Sequence, residues 1–256
     1  MSSEVTKKDT GSVALFGDDL QKGFENMTQE DMALPFVRIL GQLSPQVTDG
    51  DAKYIDGAKP GMIYNTVTSE CFDGKKGIKV IPCYYKKDYP EWSDRGDGPG
   101  APVAVHLPNS PVIQTGKRDG SKIRLPNGNY LEETASYYVL VETKAGGMTP
   151  ALISMKSTQL NVSKKWNSMM KTIQIADGKG GMAIPPMHGV VYNLQSVLQK
   201  NDKGSWYGWS VSQDRIMGQE DKSLYLTAKD FNSTASKGNV QTKADVEEKP
   251  KDSTPY

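Results

Sequence analysis

Apolar and polar positions change period twice along this chain, and the changes mark strands, then a helix, then strands again. Met62 to Phe72 and Ile78 to Tyr89 read as two strands. Asp73-Gly74-Lys75-Lys76-Gly77 between them has the length and the Asp-Gly chemistry of a hairpin loop. Ala135 to Thr143, ASYYVLVET, is apolar on both faces, as an internal strand is, and Lys144 to Gly147 turns it into Met148 to Met155. From about 158 to 173 the period becomes helical. Ser157 or Thr158 caps a helix whose Val162, Trp166, Met169, Met170 and Ile173 form one apolar stripe. After a glycine-rich break at Asp177 to Met182, alternation returns in Val190 to Gln199, with Tyr192, Leu194 and Leu198 on one side. Asn201 to Gly204 then turns the chain into Ser205 to Val211.

Three segments fit neither period for long. In ALPFVRILGQL, Pro35 is placed to start a helical turn that puts Phe36, Ile39, Leu40 and Leu43 on one face. Ser93 to Asn109 is too rich in Gly and Pro for a regular element and reads as a projecting loop. Gly116 to Arg124 follows as a small basic hairpin arm.

This order predicts a mainly β fold, an OB-fold-like barrel of five to six strands with one helix between its third and fourth strands. Residues 78–92 take the second-strand position. The strand at Met148 to Met155 is one more than a minimal barrel needs, and a β-sandwich shares the same element order. Residues 1–31 read as an acidic flexible arm, 32–231 as a single OB-like domain with long basic loops, and 232–256 as a disordered tail.

Charge changes the picture by its placement, since 31 Lys and Arg against 30 Asp and Glu leave a net charge of only +1. Gly74 to Lys87 holds Lys75, Lys76, Lys79, Lys86 and Lys87 with no acid, and Leu152 to Gln174 holds Lys156, Lys164, Lys165 and Lys171, again with none. Cys71 and Cys83 are not expected to pair, because a hairpin places Cys71 opposite a residue near Lys79. MSSEVTKKDTGS has no signal-peptide core, and no apolar run approaches a membrane span, so a cytoplasmic location without a membrane is expected.

The candidate binding residues follow from rings set among cations. Tyr84, Tyr85, Tyr89 and Trp92 offer stacking surface to unpaired bases, and Lys79, Lys86 and Lys87 offer charge to phosphates. Pro82 marks an edge or a bulge across which inward and outward sets exchange. Lys75 and Lys76 at the hairpin tip, and Lys117, Arg118, Lys122 and Arg124 in the arm, extend a groove. Trp206, near a turn, is a further stacking candidate, whereas Trp166 and Trp209 read as core. A tyrosine-rich core face with solvated lysines accounts for the same strand.

Nothing points to catalysis. His106 and His188 have no partner in sequence, the two cysteines make no metal motif, and neither a phosphate-binding loop nor a nucleophile elbow occurs. No cofactor is implied.

ALPFVRILGQLSPQV, KPGMIYNTVT leading into GIKVIPCYYKKDYPEW, and MKSTQLNVSKKWNSMM resemble segments of tailed-bacteriophage single-stranded DNA-binding proteins. The resemblance implies a non-catalytic protein coating unpaired DNA in replication and recombination, often through an OB-fold, with a C-terminal tail that recruits replication proteins. The tail here departs from the usual acidic type, because its lysines balance its acids. A phage structural or host-interaction protein using the same aromatic surface, and an annealing or nuclease-like enzyme, are the rival readings.

Overall fold

Pro35 does not start a helix. In this computed structural model, which describes residues 15, 17–19, 22–26, 34–94, 101–202 and 204–238, the chain runs extended there. Strand β1 (Val37–Ile39) pairs antiparallel with β2 (Ile63–Asn65), which pairs with β3 (Cys71–Phe72). The backbone groups a helix would use are already taken. Leu152 N donates to Pro35 O at 2.8 Å, Thr66 N to Phe36 O at 3.0 Å and Leu40 N to Met62 O at 2.9 Å. Leu43, expected on an apolar face, is 93% exposed.

The expected hairpin across Asp73 to Gly77 is also replaced. Asn65 Oδ1 accepts from the backbone of Val67 and Thr68, closing a turn that folds β3 back on β2 before that loop is reached. The loop instead docks on a strand further along the chain. Ser196 N donates to Gly74 O at 2.8 Å, and a Cβ on Gly77, whose φ is +79°, would lie 2.4 Å from Leu194 O.

The main sheet is built from β4 (Ile78–Trp92), β9 (Thr134–Glu142), β10 (Met148–Lys156), β13 (Val190–Asn201) and β14 (Gly204–Ile216), all antiparallel in the order β14-β13-β4-β9-β10. It curls into a half-barrel. The strand expected second is therefore the first of these five in the chain and lies at their centre. Between β4 and β9 come β5 (Ala104–His106), α1 (Val112–Thr115), β6 (Lys117–Asp119), β7 (Lys122–Arg124) and β8 (Tyr130–Glu132). The far end of β4 pairs with β5 on one side and β8 on the other, and β8 pairs with β7, which pairs with β6. Helix α2 (Leu160–Thr172) lies in the chain between β10 and β13, with the short strands β11 (Ile175–Ala176) and β12 (Met182–Ala183) after it.

Both faces of the main sheet are covered. On one, Trp166 of α2 stacks on Tyr137 at 4.3 Å between ring centres and meets the edge of Tyr192, within a cluster that includes Ile78, Val80 and Leu194. The helical stripe thus does what its spacing predicts. On the other, α3 (Lys222–Ser236) packs Ala228, Phe231 and Ala235 against Ile81, Cys83, Leu140 and Leu152. This helix crosses the boundary placed at residue 232, and Asn232 Nδ2 donates to Cys83 O. Arg215 grips Asp221 at its start with both terminal nitrogens.

Pro82 marks a bulge in a central strand. The register shifts between Pro82 and Tyr84, so Ile78 and Val80 face α2, Ile81 and Cys83 face α3, and Tyr84 and Tyr85 resume alternation beyond. Both cysteines are free thiols, and burial pushes Cys83 up to about 12. A third cluster, Tyr89, Ile123, Leu125 and Leu131 under Val112 and Ile113, fills the smaller sheet.

The chain divides at Met32 into two units. In the first, Gly17–Asp19 forms a 3-10 turn and Lys22 pairs with Asp19. The rest of the expected N-terminal arm, loop residues 95–100 and the tail from 239 onward lie outside the described residues.

Candidate nucleic-acid interface

Directly opposed residues of an antiparallel ladder point to the same face, and the register of the smaller sheet uses this to assemble a row. Trp92 of β4 lies opposite Tyr130 of β8, Tyr130 opposite Arg124 of β7, and Arg124 opposite Lys117 of β6. Two rings are followed by two cations across four adjacent strands, roughly 14 Å at about 4.8 Å per strand. The opposite face carries Glu91, Leu131 and Ile123 and is closed by the third core cluster. Trp92, Tyr130 and Arg124 are half-buried there, and Lys117 is exposed.

Lys122, one step along β7 on the same face, holds Nζ 3.6 Å from the centre of the Tyr130 ring, and the Arg124 guanidinium carbon lies 5.5 Å from it. Arg124 also donates to Asp94 at 2.9 Å and approaches Asp119 at 3.5 Å, both exposed pairs that salt and a competing phosphate weaken. Lys117 and Arg118 form no ion pair among the described residues, although Arg118 sits opposite Ile123 and so starts on the other face.

The small sheet is clamped by a buried carboxylate. Glu91 accepts from Asn129 Nδ2 at 2.6 Å and Asn127 Nδ2 at 3.1 Å and meets His106 Nε2 at 2.7 Å. Asn129, then His106 and Asn127, hold its carboxyl below the usual range. His106 thus has a partner that sequence could not supply. His188 lies under α3 with its ring 5.2 Å from Tyr225, and burial, with Lys229 nearby, holds it below the ordinary histidine value. Among the described residues no three His, Cys, Asp or Glu side chains converge to hold a metal.

The structure brings together Trp92, Lys117, Lys122 and Arg124 from the sequence candidates and disperses the others. Tyr84 packs on Tyr138 in the cluster under α3, Tyr85 packs on Tyr137 beside α2, and Tyr89 is core in the small sheet. Lys79 pairs with Asp214, Lys86 with Asp88 at 3.1 Å and Lys87 with Glu133 at 2.6 Å. Glu133 holds the Lys87 ammonium above its ordinary range. Lys75 and Lys76 are exposed, and their carbonyls accept from Gln195 and Asn193 of β13. Trp206 lies near the tip of the β13–β14 hairpin and lines two shallow clefts, one with Ser157 and Thr158, the other with Leu43, Leu198 and Tyr207. Lys164, Lys165 and Lys171 lie on the exposed side of α2.

Tyr130 was not among the candidates. The Lys-x-Arg of β7 and the Tyr-x-Glu of β8 alternate as open-faced strands do, and that period-2 pattern is the signal that could have found it.

A mainly β protein with an aromatic and basic sheet face is the class these features define. Residues 7–241 match the Pam3 phage gp34-like protein family, and the chain belongs to that family. No curated protein and no solved structure matches it. No helix among the described residues is long and apolar enough to cross a membrane.

Proposed function

We propose that this phage protein binds single-stranded DNA with little sequence preference and without catalysis, through the row Trp92, Tyr130, Arg124 and Lys117. The observation that carries the reading is that row itself, in which two rings and then two cations stand side by side across four strands, with Glu132 and Asp119 opposite Lys122 in the row beside it. Stacking contributes about 1–3 kcal/mol per base, so two rings are enough to matter, and the cations supply a salt-dependent attraction.

Topology supports the same reading. With β4, β9, β10, α2, β13 and β14 taken as the elements of the open half-barrel, the sheet order and the position of α2 in the chain support an OB-like reading. OB-folds bind oligonucleotides partly over the connections that follow their first and fourth strands. The first of these is the small sheet, and the second is the hairpin tip beside Trp206. Helix α3 packs on the face over the second and third strands, which favours these connections as the site instead. The protein would act in the host cytoplasm on DNA left unpaired by replication or recombination, with no cofactor.

Fluorescence anisotropy with labelled oligothymidine tests this, alongside a duplex of equal length. Binding to the single strand that weakens steeply as salt rises supports the proposal, and absent or salt-insensitive binding rejects it. The cleft beside Trp206, where Leu43 and Leu198 are exposed, favours a second reading as a structural or host-interaction protein. Co-purification of a protein partner that survives nuclease treatment would favour that reading.

A further inference from the structure

Strand β5 is an edge of the smaller sheet that is short and flanked by Pro102 and Pro108 but carries no charged side chain. Among the described residues it pairs with β4 alone, and Val103, Val105 and Leu107 all stand more than half exposed, at 57%, 52% and 56%. Solvent-facing edge strands ordinarily carry charge or bulges that discourage pairing with another chain. Residues 101–108, APVAVHLP, hold no Asp, Glu, Lys or Arg. The only titratable side chain, His106, is turned to the opposite face by Glu91.

The segment is also symmetric about Val105. Pro102 and Pro108 stand at equal distance on either side, and so do Val103 and Leu107. Laid antiparallel against an identical strand with Val105 opposite Val105, Val103 falls opposite Leu107 and Leu107 opposite Val103. Every exposed side chain then meets an apolar one. The prolines end the ladder at the same point in both copies, since neither can donate to it. Registers centred on Ala104 or His106 also keep apolar residues in phase, but only the one centred on Val105 sets all three of Val103, Val105 and Leu107 opposite one another with Pro102 opposite Pro108.

We propose that β5 pairs with β5 of a second copy, forming a dimer about a two-fold axis through Val105. That axis is perpendicular to the sheet, so the two small sheets join edge to edge with their open faces on the same side. The two Trp92 to Lys117 rows then share one surface, which would let one single strand run across both copies. The contact is short and falls at the small end of specific interfaces, so a concentration-dependent dimer is expected. The pairing does not depend on the DNA-binding proposal, and its test contains no DNA.

Sedimentation velocity over a concentration series should show a monomer–dimer equilibrium in the full chain. Val105→Lys, which sets like charges face to face, should weaken dimerisation by more than about tenfold while leaving the melting curve unchanged. In a Cys71→Ser background, Val105→Cys should give a disulfide-linked dimer under mild air oxidation, because opposed residues lie about 4.5–5.5 Å apart, within disulfide reach. Leu198→Cys, of similar exposure, should give little. A wild type that stays monomeric, a dimer indifferent to Val105→Lys, or crosslinking no faster at 105 than at 198 would each overturn the proposal.

Discussion

The ammonium of Lys122 rests 3.6 Å from the centre of the Tyr130 ring, on the open face of the small sheet. On the proposed function, a base stacking on that ring would displace the cation toward phosphate, so one contact would serve both halves of nucleic-acid recognition. Its neighbours in the ladder, Trp92 and Arg124, extend the same pattern to both sides.

Tyr130→Ala should lower affinity for oligothymidine by roughly 5- to 100-fold, the equivalent of one lost stacking contact, while Tyr130→Phe should retain most of it. Anisotropy titrations at fixed salt compare the three proteins. Equal affinity of the alanine variant and the wild type would remove Tyr130 from the interface.

Cations should separate by whether they lie in the row. Lys117→Ala should shallow the salt dependence by about 0.7, the value for one phosphate on a single strand. Lys86→Ala should not, because Lys86 lies opposite Ser136 in the main sheet, outside the row, and is paired with Asp88. The slopes of log affinity against log salt decide between them.

Fluorescence should report one tryptophan above the rest. Trp166 and Trp209 are sealed in the core, which leaves Trp92 and Trp206 within reach of a base. Trp92→Phe should remove most of the quenching caused by oligothymidine. If Trp206→Phe removes it instead, the strand lies over the hairpin tip.

Acid should loosen the small sheet first. The Glu91 carboxyl titrates below its ordinary value of 4.5 in the folded protein, so its stabilisation is complete above that value and is lost as pH falls through the lowered one. Glu91→Gln should lower the melting temperature at neutral pH and flatten its decline between about pH 5 and 3. Thermal melts across that range are the measurement, and a parallel decline in both proteins contradicts the assignment.

Helix α3 should prove integral to the fold. Phe231 is buried between α3 and the sheet, and Phe231→Ala should cost about 3–5 kcal/mol in urea unfolding. A loss below about 1 kcal/mol would mean that the helix docks only loosely.

Much of this architecture is legible in the residues, and the failures have physical causes. The double-faced apolarity of 135–143, the stripe of Val162 to Ile173 and the alternation from Val190 onward each report burial that the strand or helix itself decides. Pro82 announces its bulge because it cannot donate to a ladder. The segment at Phe36 misleads because its backbone partners, Met62, Thr66 and Leu152, are distant in sequence and outweigh a local helical pattern. Likewise the loop at Gly74 and Gly77 has hairpin chemistry, but those glycines serve a close approach to β13. Lys86 and Lys87 read as free cations because Glu133 reaches Lys87 from the link between β8 and β9, and Asp88 lies two residues beyond Lys86, just outside the acid-free run. Tyr130 gained its importance only from the register that places it between Trp92 and Arg124. Cross-strand rows of this kind are set by pairing, which a linear reading does not contain.

The central claim is that the open face of the small sheet holds single-stranded DNA. Titration of labelled oligothymidine against the wild type and Lys117→Ala/Tyr130→Ala, at one salt concentration and with melting curves for both, tests it most directly. The account predicts a loss of roughly 100-fold or more with unchanged melting, and full affinity in the double variant would contradict it.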